Sequence, residues 1–276
     1  MNDSIAQRYA LGVAYDGTEL HGWQRQTALP TVQGYLETAL SRVADHPVTV
    51  QGSGRTDAGV HATGQVLHFD TCALRPDKAW VRGVNSQLPA SVQVRWVRAV
   101  TPEFHARFSA TARRYQYLFV DRDALQPLLG KHVWVCPALE TGVMHTAAQR
   151  LLGEQDFSAL RAAGCQSATA MRCIHRVSVS RYGAFVVLDI QANAFLLHMV
   201  RNIARALLDI GRGECDADWL SALLAGRDRT VLGATAPAAG LYLVQVQFPP
   251  ALSFGEPLPA GAPPALLQVL GDLDGY

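Results

Sequence analysis

Hydrophobic periodicity in this chain switches between two residues and about 3.6, and the switches come in an order that occurs twice. Residues 8–15 are apolar and β-prone and end at the turn pair Asp16-Gly17. Pro30 and Thr31 open a helix whose Val32, Leu36, Ala39, Leu40 and Val43 share one face. A short strand at Val48 to Val50, a Gly-rich loop at Gly52 to Gly59 and a strand at Gln65 to Phe69 follow. Pro76 sits in the first turn of a helix over 76–88, and Val92, Val94 and Trp96 alternate as a strand. After a polar connector at 101–112 come strands at Arg114 to Val120 and His132 to Val135, then a helix at Glu140 to Leu152. Arg176 to Ser180 and Ala184 to Gln191 read as a hairpin about Gly183. Phe195 to Ile210 is the strongest helix, closed by Gly211 and Gly213. Asp216 caps a further helix through Leu224, and Leu241 to Phe248 is the last strand.

Both halves thus follow a split β-α-β-β-α-β plan. The expected fold is α+β: two similar halves forming a mixed, mostly antiparallel sheet, with helices packed on it and a central active-site cleft. The expected boundaries are 1–112 for the N-terminal half, 113–248 for the C-terminal half and 249–276 for a Pro-, Gly- and Leu-rich tail.

With 276 residues, 49% hydrophobic and 17% charged, the chain can bury a substantial core. The apolar runs are strand-sized, and the first residues lack the order of a secretion signal, so a cytoplasmic protein with no membrane partner is expected. Cys72, Cys136, Cys165, Cys173 and Cys215 are scattered, with no C-x-x-C, which argues against a disulfide framework and a zinc site. The net charge of +1 points to no partner by itself. Its distribution is more informative, since residues 161–212 hold seven Arg against Asp189 and Asp209.

The densest polar signal is Gly52-Ser53-Gly54-Arg55-Thr56-Asp57-Ala58-Gly59. It is neither a phosphate-binding P-loop nor a dinucleotide fingerprint, because no Gly-Lys-Ser/Thr follows and Asp57 occupies the third glycine position. What it offers is a carboxylate two residues from a guanidinium in a tight loop. That suits a nucleophile or base at Asp57 with Arg55 as its partner, and it equally suits an Asx turn. Arg107, Arg113 and Arg114 lie among Phe104, Phe108, Tyr115 and Tyr117, a mixture fit for RNA or for an exposed rim over core aromatics. His198, Arg201, Asn202 and Arg205 form a polar stripe at helical spacing, either functional or a solvated face. Residues 181–188 match only four of seven positions of an RNA-recognition signature.

Gly54-Arg55-Thr56-Asp57-Ala58-Gly59-Val60-His61 resembles the signature of the bacterial tRNA pseudouridine synthases of the TruA type. The resemblance extends to Tyr15-Asp16-Gly17 with Gly22-Trp23-Gln24-Arg25-Gln26, to Phe104 through Ala110, and to Arg114-Tyr115-Gln116-Tyr117. It continues through Asn193-Ala194-Phe195, His198 through Asn202, and Ala239-Gly240-Leu241-Tyr242-Leu243. Leu20 stands where the family usually has an aromatic, and Arg205 where a small Gly is common.

The resemblance implies isomerisation of uridine to pseudouridine at positions 38, 39 and 40 of the tRNA anticodon stem-loop, with no cofactor or metal. It implies Asp57 as the nucleophile acting on a flipped base, Arg55 holding the nucleotide, and Tyr115 stacking on the base. Arg201 would pair with Asp57 or a phosphate, and Leu241 would line the pocket. Arg107, Arg113, Arg114 and Arg205 are the candidate contacts to the RNA backbone, and a homodimer gripping one tRNA is the implied assembly. The alternatives are a synthase acting on another RNA and a non-catalytic RNA-binding module.

Overall fold

The computed structural model describes residues 7–121, 129–253, 256–259, 261 and 264. The chain divides into two compact units, Met1–Thr111 with Leu243–Pro263, and Ala112–Tyr242 with Pro264–Tyr276. The division differs from a cut at 248, because Leu243 onward groups with the N-terminal stretch. Within the expected tail, 256–259, 261 and 264 are described, as are 249–253, where Pro250–Ser253 forms a 3₁₀ turn and the Thr101 amide donates to the Leu252 carbonyl at 3.1 Å.

The N-terminal unit is built on β1 (Gln7–Tyr15), β2 (Gln51–Gly52), β3 (His61–Thr71) and β4 (Val92–Ala99). β1 is central, antiparallel to β3 and to β4, and β2 adds to β3. The strand expected at 48–50 is not formed there, and pairing begins only at Gln51. α1 (Val32–Ala44) begins as expected, with Thr31 as its N-cap accepting a hydrogen bond from the Gly34 amide at 3.3 Å. Of its five expected core positions four are buried, and Val43 is half-buried. The expected 76–88 helix is shorter and contains a π turn at Ala79–Gly83, which delivers Trp80 into the core against Phe69 and Tyr9. Burying a side chain of this size stabilises by roughly 1.5–3 kcal/mol.

The C-terminal unit holds β5 (Ala112–Asp121), β6 (Trp134–Cys136), β7 (Gly153–Asp156), β8 (Met171–Tyr182) and β9 (Phe185–Ala192). Their order is β5-β9-β8-β7, antiparallel throughout, and β6 alone runs parallel to β5. The strand β7 carries no alternation of its own, since its Glu154, Gln155 and Asp156 are all polar. Three α-helices accompany this sheet among the described residues, α2 (Thr141–Ala148), α3 (Met199–Gly211) and α4 (Ala217–Gly226), together with 3₁₀ turns at Gln149–Leu151, Ser158–Leu160, Arg229–Val231 and Ala238–Gly240. Asp216 caps α4 as expected, accepting from the Trp219 amide at 2.7 Å. α3 starts four residues later than its hydrophobic period suggests, because His198 at its N-cap is left-handed, with φ of 59°. β10 (Leu241–Gln247) is the last strand, and the unit boundary falls inside it. The molecule is therefore α+β and mostly antiparallel, and no described helix is long and apolar enough to cross a membrane.

Just before β10, Gly240 lies flat against Tyr117, where a Cβ would come 2.7 Å from the ring and 2.8 Å from the Leu118 carbonyl. Neither neighbour can move, since the Tyr117 hydroxyl donates to the Pro237 carbonyl at 2.8 Å and Leu118 is in the sheet. Gly240→Ala is expected to destabilise this unit by roughly 1–3 kcal/mol through overpacking. A thermal midpoint equal to wild type would show that the close approach is not maintained in solution.

Candidate active site

The loop between β2 and β3 carries Arg55 and Asp57 and is fastened from below by a buried amide. Gln65, 0% exposed, accepts from the Ser53 hydroxyl at 2.6 Å and donates to the Gly54 carbonyl at 2.9 Å. Its Nε2 also reaches the Tyr15 hydroxyl at 3.4 Å, and that hydroxyl pairs with the Thr56 hydroxyl at 2.8 Å. Each of the loop residues 53, 54 and 56 is thus tied to one side-chain cluster rising from β1 and β3. Polar groups this deeply buried are held in one arrangement, because breaking any bond leaves a partner without water.

The other side of the loop is gripped by backbone. The Trp23 amide donates to the Thr56 carbonyl at 3.0 Å, the Gly59 amide to the Leu20 carbonyl at 3.3 Å, and the Val60 amide to the Asp57 carbonyl at 3.2 Å. Gly22 is left-handed, with φ of 84°, and a Cβ there would stand 2.7 Å from the Thr56 carbonyl. The Trp23 ring covers Gly52, where a Cβ would fall 2.5 Å from it. The Gly17 amide donates to Nδ1 of the buried His61 at 3.1 Å. Leu20 is buried in this clamp and serves it through its carbonyl, whatever its side chain. The outcome is a rigid loop in which Thr56 points inward, Asp57 is half-buried and Arg55 is exposed. The guanidinium of Arg55 has no hydrogen-bond or ion-pair partner among the described residues.

The C-terminal unit presents its candidates on three elements. On β5, Tyr115 is buried edge-on against Phe195, with ring centroids 5.2 Å apart. Side chains alternate along a strand, so Arg114 and Gln116 occupy the opposite face from Tyr115. There both reach Asp189: the Arg114 Nε donates to Asp189 at 2.7 Å, its Nη2 makes a second, shorter bond, and the Gln116 amide donates at 2.9 Å. The carboxylate raises the pKa of Arg114, chiefly through these hydrogen bonds. The Arg113 Nη1 donates to the Asn193 carbonyl at 2.9 Å, and the Arg205 Nε to Asp209 at 2.9 Å. Arg107, in the N-terminal unit, is exposed.

Arg201, near the start of α3, donates through Nε to the Ala236 carbonyl at 2.7 Å. The segment that supplies this carbonyl is organised by a second fully buried amide. Asn202, 0% exposed, donates to the Leu160 carbonyl at 2.8 Å and accepts from Thr235 at 2.9 Å and Arg229 at 3.2 Å. Arg229 also donates to the carbonyls of Leu232 and Gly233. The polar stripe on α3 is therefore an internal network and not a solvated face. Tyr117 closes the same segment through the Pro237 carbonyl, and burial pushes its phenol pKa up, so it stays a donor. Leu241 is buried at the head of β10. The 181–188 hairpin buries Phe185, the aromatic of that match, and Tyr182, 45% exposed, stands at a position that does not match.

The structure brings Arg55 and Asp57 together in one unit and Tyr115, Arg201 and Leu241 in the other. Gln65, Tyr15, Thr56, Asn202 and Arg229 were not singled out from sequence as supports. A signal existed for Tyr15, which opens the Tyr15-Asp16-Gly17 block, but none distinguishes a buried Gln or Asn from a surface one.

A family model described as tRNA pseudouridine synthase matches residues 12–109 and 147–249. The tRNA pseudouridine synthase A of Aeromonas salmonicida is 53% identical over 255 residues, covering 92% of this chain and 94% of that protein. The proteins of the same name from Shewanella amazonensis and Tolumonas auensis are each 54% identical, covering 91% and 93% of this chain and 95% and 98% of their own. The chain belongs to the tRNA pseudouridine synthase family. It is thus an isomerase, one that exchanges a glycosidic N–C bond for a C–C bond. Arg55, Asp57, Arg107, Arg201, Arg205 and Leu241 lie inside the stretches matched by the synthase family model, and Arg113, Arg114 and Tyr115 lie between them.

If Gln65 holds the synthase loop, Gln65→Met should leave Ser53, Gly54 and Tyr15 without a buried partner at a cost of about 1–3 kcal/mol for each unsatisfied group. The expected result is a lowered thermal midpoint together with a loss of turnover larger than the loss of RNA affinity. Equal activity at equal stability would show that the cluster does not position Asp57.

Proposed function

We propose that this protein isomerises uridine to pseudouridine at positions 38, 39 and 40 of the tRNA anticodon stem-loop, with Asp57 as the nucleophile. The observation that carries the proposal is the rigid loop that sets a half-buried carboxylate beside an exposed guanidinium, inside a stretch matched by the family. The names of its relatives support tRNA as the substrate.

The reaction breaks the N1–C1′ bond, rotates the base and forms C5–C1′; the hydrogen lost from C5 is matched by one gained at N1. Atoms and oxidation state balance, so the isomerisation requires neither a redox partner nor water. A stacked uridine is out of reach of a loop side chain, so the target nucleotide leaves its stack to meet Asp57. Arg55 holds the flipped nucleotide through its phosphate or ribose, as an exposed fork without an internal partner can. Tyr115 stacks on the base, Leu241 gives the pocket an apolar wall, and Arg201 pairs with Asp57 or a phosphate. Arg107 contacts the RNA backbone directly. Arg113, whose partner is a neutral carbonyl, adds to its field, while Arg114 and Arg205 offer the RNA only the donors that Asp189 and Asp209 leave over. A cytoplasmic homodimer gripping one tRNA is the assembly we infer.

Incubation with an unmodified tRNA transcript, followed by position-resolved detection of pseudouridine, tests the whole reading. Asp57→Asn keeps the shape of the side chain and removes the nucleophile, so turnover should vanish while folding and tRNA binding persist. Residual activity within about tenfold of wild type, only about 1.4 kcal/mol of barrier, would remove Asp57 from the chemistry. Modification confined to other positions or another RNA would reassign the substrate. Tyr115→Phe should retain activity if the ring acts by stacking alone; a steep loss at unchanged affinity would give its hydroxyl a part in proton transfer.

A further inference from the structure

Four aromatics lie within or just after the 101–112 connector, and the structure separates them sharply. Phe104, Tyr115 and Tyr117 are buried, whereas Phe108 is 74% exposed, more than any other aromatic among the described residues. Exposure alone is common; the way this ring is held is not. Phe108 packs at a tilt of 34° on His105 with centroids 4.4 Å apart, and His105 packs at 59° on His68 at 4.6 Å. His68 meets the edge of the fully buried Phe104 at 6.2 Å, which in turn packs on Phe248. An unbroken column of rings therefore runs from the core to one exposed phenyl group.

The turn beneath it is closed by hydrogen bonds. The amides of Arg107 and Phe108 both donate to His105 Nδ1, at 3.2 and 3.3 Å. The Ser109 amide donates to the His105 carbonyl at 2.9 Å, and the His105 amide to the Ser109 hydroxyl at 3.0 Å. The Ala106 amide donates to His68 Nδ1 at 3.1 Å, and Arg8 donates to the carbonyls of Pro102 and Phe104. Burial, with Arg8 nearby, pushes the pKa of His68 down to about 4 and lowers that of His105, so both rings keep the lone pair these amides need. The exposed Arg107 holds its guanidinium carbon over the Phe108 ring, 5.3 Å from the centroid, a planar cation on the ring that a base can share or replace.

We propose that Phe108 is an RNA-docking platform on which an unpaired base of the substrate stacks, with Arg107 taking the adjoining phosphate. The proposal rests on the reading of the protein as a tRNA-modifying enzyme and adds to it a contact away from the Asp57 loop. A ring already fixed in place loses little freedom on binding, and every base offers a face to it, so the contact gives affinity without sequence preference. Single-stranded loops are where RNA supplies such bases.

The test uses the full-length protein and unmodified tRNA transcript, measuring affinity across a salt series and single-turnover rate at saturating RNA. Phe108→Ala should weaken binding by roughly 5- to 150-fold, the span of one base–aromatic stack, with the log–log salt slope unchanged. Arg107→Ala should flatten that slope by about one unit. Phe108→Trp should bind like wild type, and the saturated rate of Phe108→Ala should remain near wild type. Unchanged affinity in Phe108→Ala overturns the proposal, as does Phe108→Trp binding as weakly as Phe108→Ala. A shift in sedimentation of Phe108→Ala, with affinity following the assembly state, would make the ring an interface between copies of this chain instead. Wild type that leaves tRNA unmodified overturns the wider reading; wild type that modifies it while Phe108→Ala binds normally overturns only this inference.

Discussion

The buried amide of Gln65 is the point on which the catalytic loop depends. Its two polar atoms meet Ser53, Gly54 and Tyr15, and through Tyr15 they reach Thr56, so loop positions 53, 54 and 56 are all held from one side chain on β3. Loops are ordinarily the adjustable part of a fold. This one cannot drift without stranding several polar groups away from water, which is a stronger restraint than apolar packing gives. The clamp from Gly22 and Trp23 then fixes its outer side, so that Asp57 is displayed from a frame rather than from a flexible connection.

The C-terminal unit solves the same problem with the same chemical device. Asn202, as deeply buried as Gln65, ties α3 to Leu160 on one side and to Thr235 and Arg229 on the other. The segment it organises carries the Ala236 and Pro237 carbonyls that receive Arg201 and Tyr117. In each unit an amide, able to donate and accept at once, joins irregular backbone to a regular element. A carboxylate in its place could only accept, and would leave the Gly54 and Leu160 carbonyls without their donors.

Most of the fold was legible because it rests on periodicity and caps: Thr31 and Asp216 begin their helices in the way their side chains dictate. What sequence hid was whatever depends on tertiary partners. β7 has no apolar alternation, and only its neighbour β8 makes it a strand. The hydrophobic period of α3 runs back to Phe195, yet the left-handed His198 cuts the helix short. In the site, the eight-residue signature around Asp57 was visible in one dimension, while its supports come from positions 15, 22, 23 and 65, and nothing local marks a glutamine as buried. The α3 stripe was ambiguous for the same reason: a helical face of Arg and Asn looks alike whether it meets water or a loop.

Internal use of arginine bears on how a chain with net charge +1 holds a polyanion. Arg8, Arg114, Arg201, Arg205 and Arg229 all spend donors on carbonyls, carboxylates or amides of the protein itself. A guanidinium committed to a carboxylate brings little net field, since the pair is nearly neutral at a distance. Clustering of arginine in a sequence therefore overstates the charge available at the surface: Arg205, within 161–212, is paired with Asp209, and Arg114, of the 107–114 group, with Asp189. With fewer free cations, counterion release supplies less of the affinity, and contacts indifferent to salt must supply more. Base stacking is the contact of that kind open to a protein surface, and it needs a rigid ring left in water. That requirement runs against the usual burial of phenylalanine, and the column of rings beneath Phe108 is what allows the exception to be held in place.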